Sequence, residues 1–154
     1  MNKIIYQKRQ WMKALWISLP AITFVVLALD SANQSMEQRI YGATLLACIN
    51  IVVIAIIGSL KISIDEKQLI WQFGFLGKPK WTIDFRDIES VEICESSWVE
   101  GWGIRFTKEG MLYNAAGKSA IRINKKDGKS IRLGTAEPEV LAALLQQKMQ
   151  QVLR

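Results

Sequence analysis

The sequence predicts an α+β protein: an N-terminal pair of membrane-spanning helices, then seven short antiparallel strands in a barrel or sandwich closed by a C-terminal helix. Three observations predict it. Ile40 to Leu60 is a run of twenty-one residues without a charge. From Lys61 the apolar residues recur at every second position, as on a half-buried strand. From residue 137 they recur at helical spacing.

Each element follows in order. Residues 1–60 read as the membrane hairpin, with helices over about 12–29 and 40–60, and residues 61–154 as the second domain. The first thirteen residues are polar and carry Lys3, Lys8, Arg9 and Lys13, with Trp11 and Trp16 on either side of Lys13. Tryptophan beside lysine is the pattern of a membrane interface. Ala14–Leu29 is uncharged and holds Pro20, which removes one helical hydrogen bond and is tolerated in a membrane helix. A basic start before an apolar run also describes a signal peptide, but a second apolar run follows at once and the positions before Ala32 are not both small. At 1.5 Å per residue, the run from Ile40 to Leu60 covers a hydrocarbon core of about 30 Å. Its rival reading, a buried helix of a soluble protein, fits that length poorly.

The polar link at 30–40 is short, so the two helices are antiparallel neighbours. Residues 1–13 have net charge +4, the link −1 and the remainder +3, within an overall +6. The positive-inside rule therefore places both termini in the cytoplasm. Asn50 falls near the middle of the second helix with Thr23 at similar depth. An amide in hydrocarbon needs a partner, so Asn50 reads as glue between helices or chains, with transport as the rival.

Seven strands are expected around Ile62 and Ile64; Leu69 to Phe75; Trp81 to Phe85; Ile88 to Ile93, with a phase break that predicts a bulge; Ile104 and Phe106; Ile121 and Ile123; and Ile131 and Leu133. Turn signals separate them, the strongest being Asp127-Gly128. The last helix is expected to bury Val140, Leu141, Leu144, Leu145, Met149 and Val152, with Thr135 as cap and Pro138 in its first turn.

The chain has no histidine, which excludes histidine acid–base chemistry, Ser-His-Asp triads and histidine metal sites. Cys48 and Cys94 lie in different parts of the chain and read as reduced packing residues. No catalytic, cofactor or metal site is expected. The mild excess of base in residues 61–154 is no nucleic-acid footprint. Arg105, Arg122 and Arg132 fall on the outward phase of the last three strands, with Lys108, Lys125, Lys126 and Lys129 in the adjoining turns. They read as a site for a phosphate or headgroup, or as a solvated face paired with Glu89, Glu92 and Glu95. Trp98 and Trp102 sit in a glycine-containing connection, either in the membrane interface or as a lid on the domain.

The stretch 101–145 resembles the bacterial PH-like domain. The matching features are Gly101 and Gly103 before Arg105, Gly110 before Tyr113, Gly117 before Ala120–Ile123, Asp127-Gly128, Gly134-Thr135 and Pro138; residues 85–93 match the preceding strand. Small two-pass bacterial membrane proteins with this domain are similar over nearly the whole chain. The resemblance implies a seven-stranded PH-like barrel on the cytoplasmic side of the inner membrane. It carries no catalytic residue. The expected function is a non-enzymatic adaptor binding the bilayer and another membrane or cytosolic protein, or a second copy of itself. The alternative is a sensor of anionic headgroups or small anions, and the third reading is a lipid-acting enzyme.

Overall fold

The computed structural model describes residues 4–29, 35–96, 102–115 and 117–152. Trp98 lies outside them. The chain is mixed α+β, with nine strands and three helices among the described residues. Strand β1 (Tyr6–Trp11) leads into helix α1 (Lys13–Leu29); α2 (Met36–Ile57) returns into β2 (Ser59–Ile64). There follow β3 (Gln68–Phe73), β4 (Lys80–Asp84), β5 (Ile88–Glu95), β6 (Gly103–Thr107), β7 (Gly110–Asn114), β8 (Ser119–Lys125), β9 (Ser130–Gly134) and α3 (Pro138–Val152).

Among the described residues one helix, α2, is long and apolar enough to cross a membrane; α1 is shorter, at 17 residues. Neither helix has a buried residue among those described, so much of their apolar surface is exposed. A helix buried in a soluble core would be covered. α2 begins earlier than expected because Ser35 caps it: the Ser35 hydroxyl accepts from the Gln38 amide and the Gln38 side chain accepts from the Ser35 amide. It ends at Ile57, where Ser59 enters the sheet.

The strands form two sheets, ordered β1-β2-β3-β4 and β5-β8-β9-β7-β6, instead of a closed seven-stranded barrel. Two strands were not expected. β1 carries Tyr6, Lys8 and Gln10 toward the interior, where they meet Glu137 and the Gly134 carbonyl, so its inner face shows no apolar alternation. β7 buries Leu112, Tyr113 and Asn114 in succession, so both its faces are covered and no period of two remains. β7 runs parallel to β9, so the second sheet is not wholly antiparallel. The register shift between Ile88 and Ser90 lies at the phase break read from the sequence.

The core lies between the sheets. Leu60, Ile62, Leu69 and Phe73 of the first meet Ile121, Ile123 and Leu133 of the second, and Leu141 and Leu145 of α3 join them. Thr135 accepts from the Glu137 amide at 3.2 Å ahead of α3. Val140 and Val152 are exposed, contrary to expectation. The inward stripe is centred on Leu141 and Leu145 and holds Pro138 and Ala142 in place of those two valines.

Candidate functional site

The sheet register places Arg105, Leu112, Arg132, Arg122 and Glu92 in one row on the outer face of the second sheet. β7 lies between β6 and β9, so the three arginines are not on three successive neighbours as the sequence suggested. Arg132 is only 3% exposed. Its Nη1 lies 3.6 Å from the Glu109 carboxylate, which also pairs with Arg122. A second Arg122 nitrogen is 4.0 Å from Glu92. Glu109 comes from the β6–β7 turn and was not foreseen as a partner. Arg105 is exposed, and its Nε donates to the Trp102 carbonyl at 3.3 Å.

The neighbouring lysines are similarly balanced or outlying. Lys125 pairs with Asp127 at 3.1 Å, and the Lys126 amide donates to the Asp87 carbonyl at 3.0 Å. These four side chains line one cleft of about 440 Å³ with two charges of each sign. The Lys129 amide and the Lys125 ammonium hold the Asp127 carboxyl below its usual range. Lys108 is exposed in the β6–β7 turn. The face is therefore close to neutral where it is ordered by contacts, and its more exposed pairs, such as Lys125 with Asp127, stabilise by about 0–1 kcal/mol.

Within the hairpin, the Asn50 amide nitrogen donates to the Thr23 hydroxyl at 2.7 Å and lies 3.5 Å from the Leu19 carbonyl. Pro20 is absorbed inside α1 without ending it.

Strand pairing, hydrogen bonds and aromatic contacts converge at the base of the hairpin. β1 and β2 are paired throughout, from Tyr6 with Ile64 to Trp11 with Ser59, so both helices leave adjacent strands of one ladder. The Met12 amide and the Trp16 indole Nε1 both donate to the Gly58 carbonyl, each at 3.0 Å. The β3–β4 turn folds against the same place: Gly74 donates to the Ser59 carbonyl and Phe75 to the Ala55 carbonyl. Gly74 has φ +68°, and a Cβ there would lie 2.2 Å from the Ala55 oxygen, so only glycine fits. Trp11, Trp16 and Phe75 form an aromatic cluster with centroids 5.4–6.2 Å apart. The Arg9 guanidinium stands 5.4 Å from the Phe75 ring and 6.0 Å from the Trp11 ring. Such contacts contribute about 0.5–1 kcal/mol at exposed sites. Trp102 is exposed at the start of β6.

Sequence reasoning missed Arg9, Gln10 and Phe75 as parts of this base. A signal existed for Phe75: Phe75-Leu76 are two large apolar residues in a glycine-bounded turn, and both are exposed. None existed for Gln10, whose partner is 124 residues away.

No family model matches this chain, and no curated protein matches it.

Proposed function

We propose that this chain is a two-pass, non-enzymatic membrane protein that holds a PH-like interaction domain at the cytoplasmic face of the bacterial inner membrane. The observation that carries the reading is the uncovered helical pair whose two legs leave paired strands. Apolar helices with no buried residue need a lipid environment, and the ladder beneath them fixes the domain against its surface. The charge bias around the helices favours cytoplasmic termini. The reading of the domain as PH-like draws support from two sheets followed by a helix, with β1 and β7 beyond the seven strands expected.

The partner surface we assign is the β6 edge of the second sheet, which pairs with no further strand among the described residues. β6 is its outermost strand, and Phe106 is 89% exposed there with Ile104 also exposed. An unpaired edge accepts an extended segment of another chain. Arg105 and Lys108 beside it favour a segment with acidic residues. The arginine row is the weaker candidate for headgroups, because Glu109 already occupies Arg122 and Arg132.

Photo-crosslinking from position 106 in native membranes tests the adaptor reading. A discrete protein adduct, lost when Ile104→Glu is introduced beside the probe, is expected. Adducts to lipid alone would overturn it. A reporter fused after Arg154 that is active only outside the cytoplasm would overturn the topology.

A further inference from the structure

Two clefts meet at the base of the hairpin. One, of about 410 Å³, is lined by Trp11, Lys13, Trp16 and Ile17, and is apolar apart from the lysine. The other, of about 330 Å³, is the seam between β1 and the ends of β8 and β9; Lys8, Arg9, Gln10 and Lys13 line it with Ser119 and Thr135 opposite. Trp11 and Lys13 belong to both. An apolar groove along a membrane helix thus opens directly into a basic, hydroxyl-bearing one.

Two features of the seam point to an anion and a third to a hydroxyl donor. Lys8 is paired with Glu137, but Arg9 and Lys13 make no ion pair among the described residues, which leaves two positive charges. Lys13 starts α1, and the first turn of that helix has no acidic residue. A cation at the positive end of a helix dipole is unfavourable by itself and is offset by a bound anion. Finally, Gln10 is buried, and its amide nitrogen donates to the Gly134 carbonyl at 2.9 Å while its Oε1 has no hydrogen bond. A buried acceptor left in that state costs about 1–3 kcal/mol, and a hydroxyl donor would relieve it.

We infer that this seam binds one anionic phospholipid of the surrounding leaflet, with its phosphodiester on Arg9 and Lys13, a headgroup hydroxyl toward Gln10, and an acyl chain along Trp11, Trp16 and Ile17. The chemistry is that of a phosphoglycerol headgroup. The inference rests on the reading that α1 and α2 lie in a bilayer.

The test uses the full chain in phosphatidylcholine nanodiscs doped with phosphatidylglycerol brominated on its acyl chains, with tryptophan quenching as the readout. Trp11 and Trp16 report the site, and a Trp11→Phe, Trp16→Phe variant identifies their share of the signal. Quenching should saturate at a low fraction of brominated phosphatidylglycerol and not with brominated phosphatidylcholine. Lys13→Gln and Arg9→Gln should each weaken the half-saturation roughly fivefold, the equivalent of about 1 kcal/mol per basic residue at an anionic surface. Lys129→Gln, on an exposed turn, should leave it in place. Lys13 is exposed, so that variant folds. Identical quenching by the two lipids, or saturation that neither substitution moves, overturns the site and leaves the membrane reading standing. Recovery of fluorescence in millimolar inorganic phosphate overturns the lipid assignment in favour of a free anion. No quenching by either lipid overturns the membrane reading itself.

Discussion

Arg122 and Arg132 on the outer sheet face, and Arg9 and Lys13 at the hairpin base, are all cations set beside apolar surface. Only the first two have a carboxylate between them. Glu109 reaches across from a turn, and the row closes on itself with Glu92 at one end. At the base, Arg9 lies over aromatic rings and Lys13 sits at the start of a helix, and neither meets an acid among the described residues. The number of basic side chains is no guide to which surface can take a ligand. What decides is whether the fold has already neutralised them. Four predictions test this contrast.

The largest effect should come from distorting the base. Gly74→Val places a branched side chain at φ +68° and 2.2 Å from the Ala55 carbonyl. A strained backbone of this kind costs about 1–3 kcal/mol, and the clash adds to it, so a loss near 3 kcal/mol is expected in detergent unfolding. Trp16 emission should shift as well, since its indole bonds to Gly58 beside that turn. A loss under about 1 kcal/mol with unchanged emission would show that the base is not a rigid platform.

Next, Glu109→Gln should convert the neutral face into a cationic one. Breaking a fully buried pair costs about 3–5 kcal/mol, but Glu109 is half exposed, so about 1–2 kcal/mol is expected. The variant should gain salt-sensitive binding to anionic vesicles that the wild type lacks on this face. Unchanged vesicle binding, with the protein folded, would mean that Glu109 does not hold the arginines back.

The helices, the alternating strands, the bulge near Ile88 and the Asp127-Gly128 hairpin were legible because each is a local pattern. β1 was not, because its inner residues are satisfied by Glu137 and Gly134 across more than 120 positions. The same blindness hid the pairing of Arg122 and Arg132 with Glu109, and the separation of Arg105 from Arg132 by β7. A domain boundary at residue 61 follows the change in composition; β1 and the start of β2 lie before it, since the first sheet takes strands from both sides of the hairpin.

A smaller effect is expected inside the hairpin. Asn50→Leu removes the bond to Thr23, and measured membrane hydrogen bonds average about 0.6 kcal/mol, so the cost should be at most about 2 kcal/mol. Lipid quenching at Trp11 and Trp16 should not change, because the base is held by the strand ladder and not by Asn50. A gain in stability would show that the amide is a burden on the helices and not their glue.

The smallest effect concerns the strap that closes the seam. The Lys8 ammonium, against some opposing desolvation, holds the Glu137 carboxyl below its ordinary value of 4.5, and Tyr6 adds a second hydrogen bond. A carboxyl depressed by folding stabilises above its unfolded pKa, and that contribution disappears as the pH falls from 4.5 through the lowered value. Burial, then the Glu137 charge, pushes Tyr6 up to about 12 from 10.0, so its contribution is complete below 10 and lost as the pH rises toward 12. Asp84 supplies an internal reference: hydrogen bonds from Arg86 lower it from 3.8 to about 2, so its acid loss lies below 3.8. Thermal midpoints should therefore start to fall as the pH drops below 4.5, fall further below 3.8, and fall again above 10. Glu137→Gln should remove the loss that starts at 4.5 and draw the alkaline loss back toward 10, leaving the losses of Asp84 and Asp127 below 3.8 in place. If the profile survives the substitution unchanged, Glu137 does not couple β1 to the second sheet, and the seam is open without its strap.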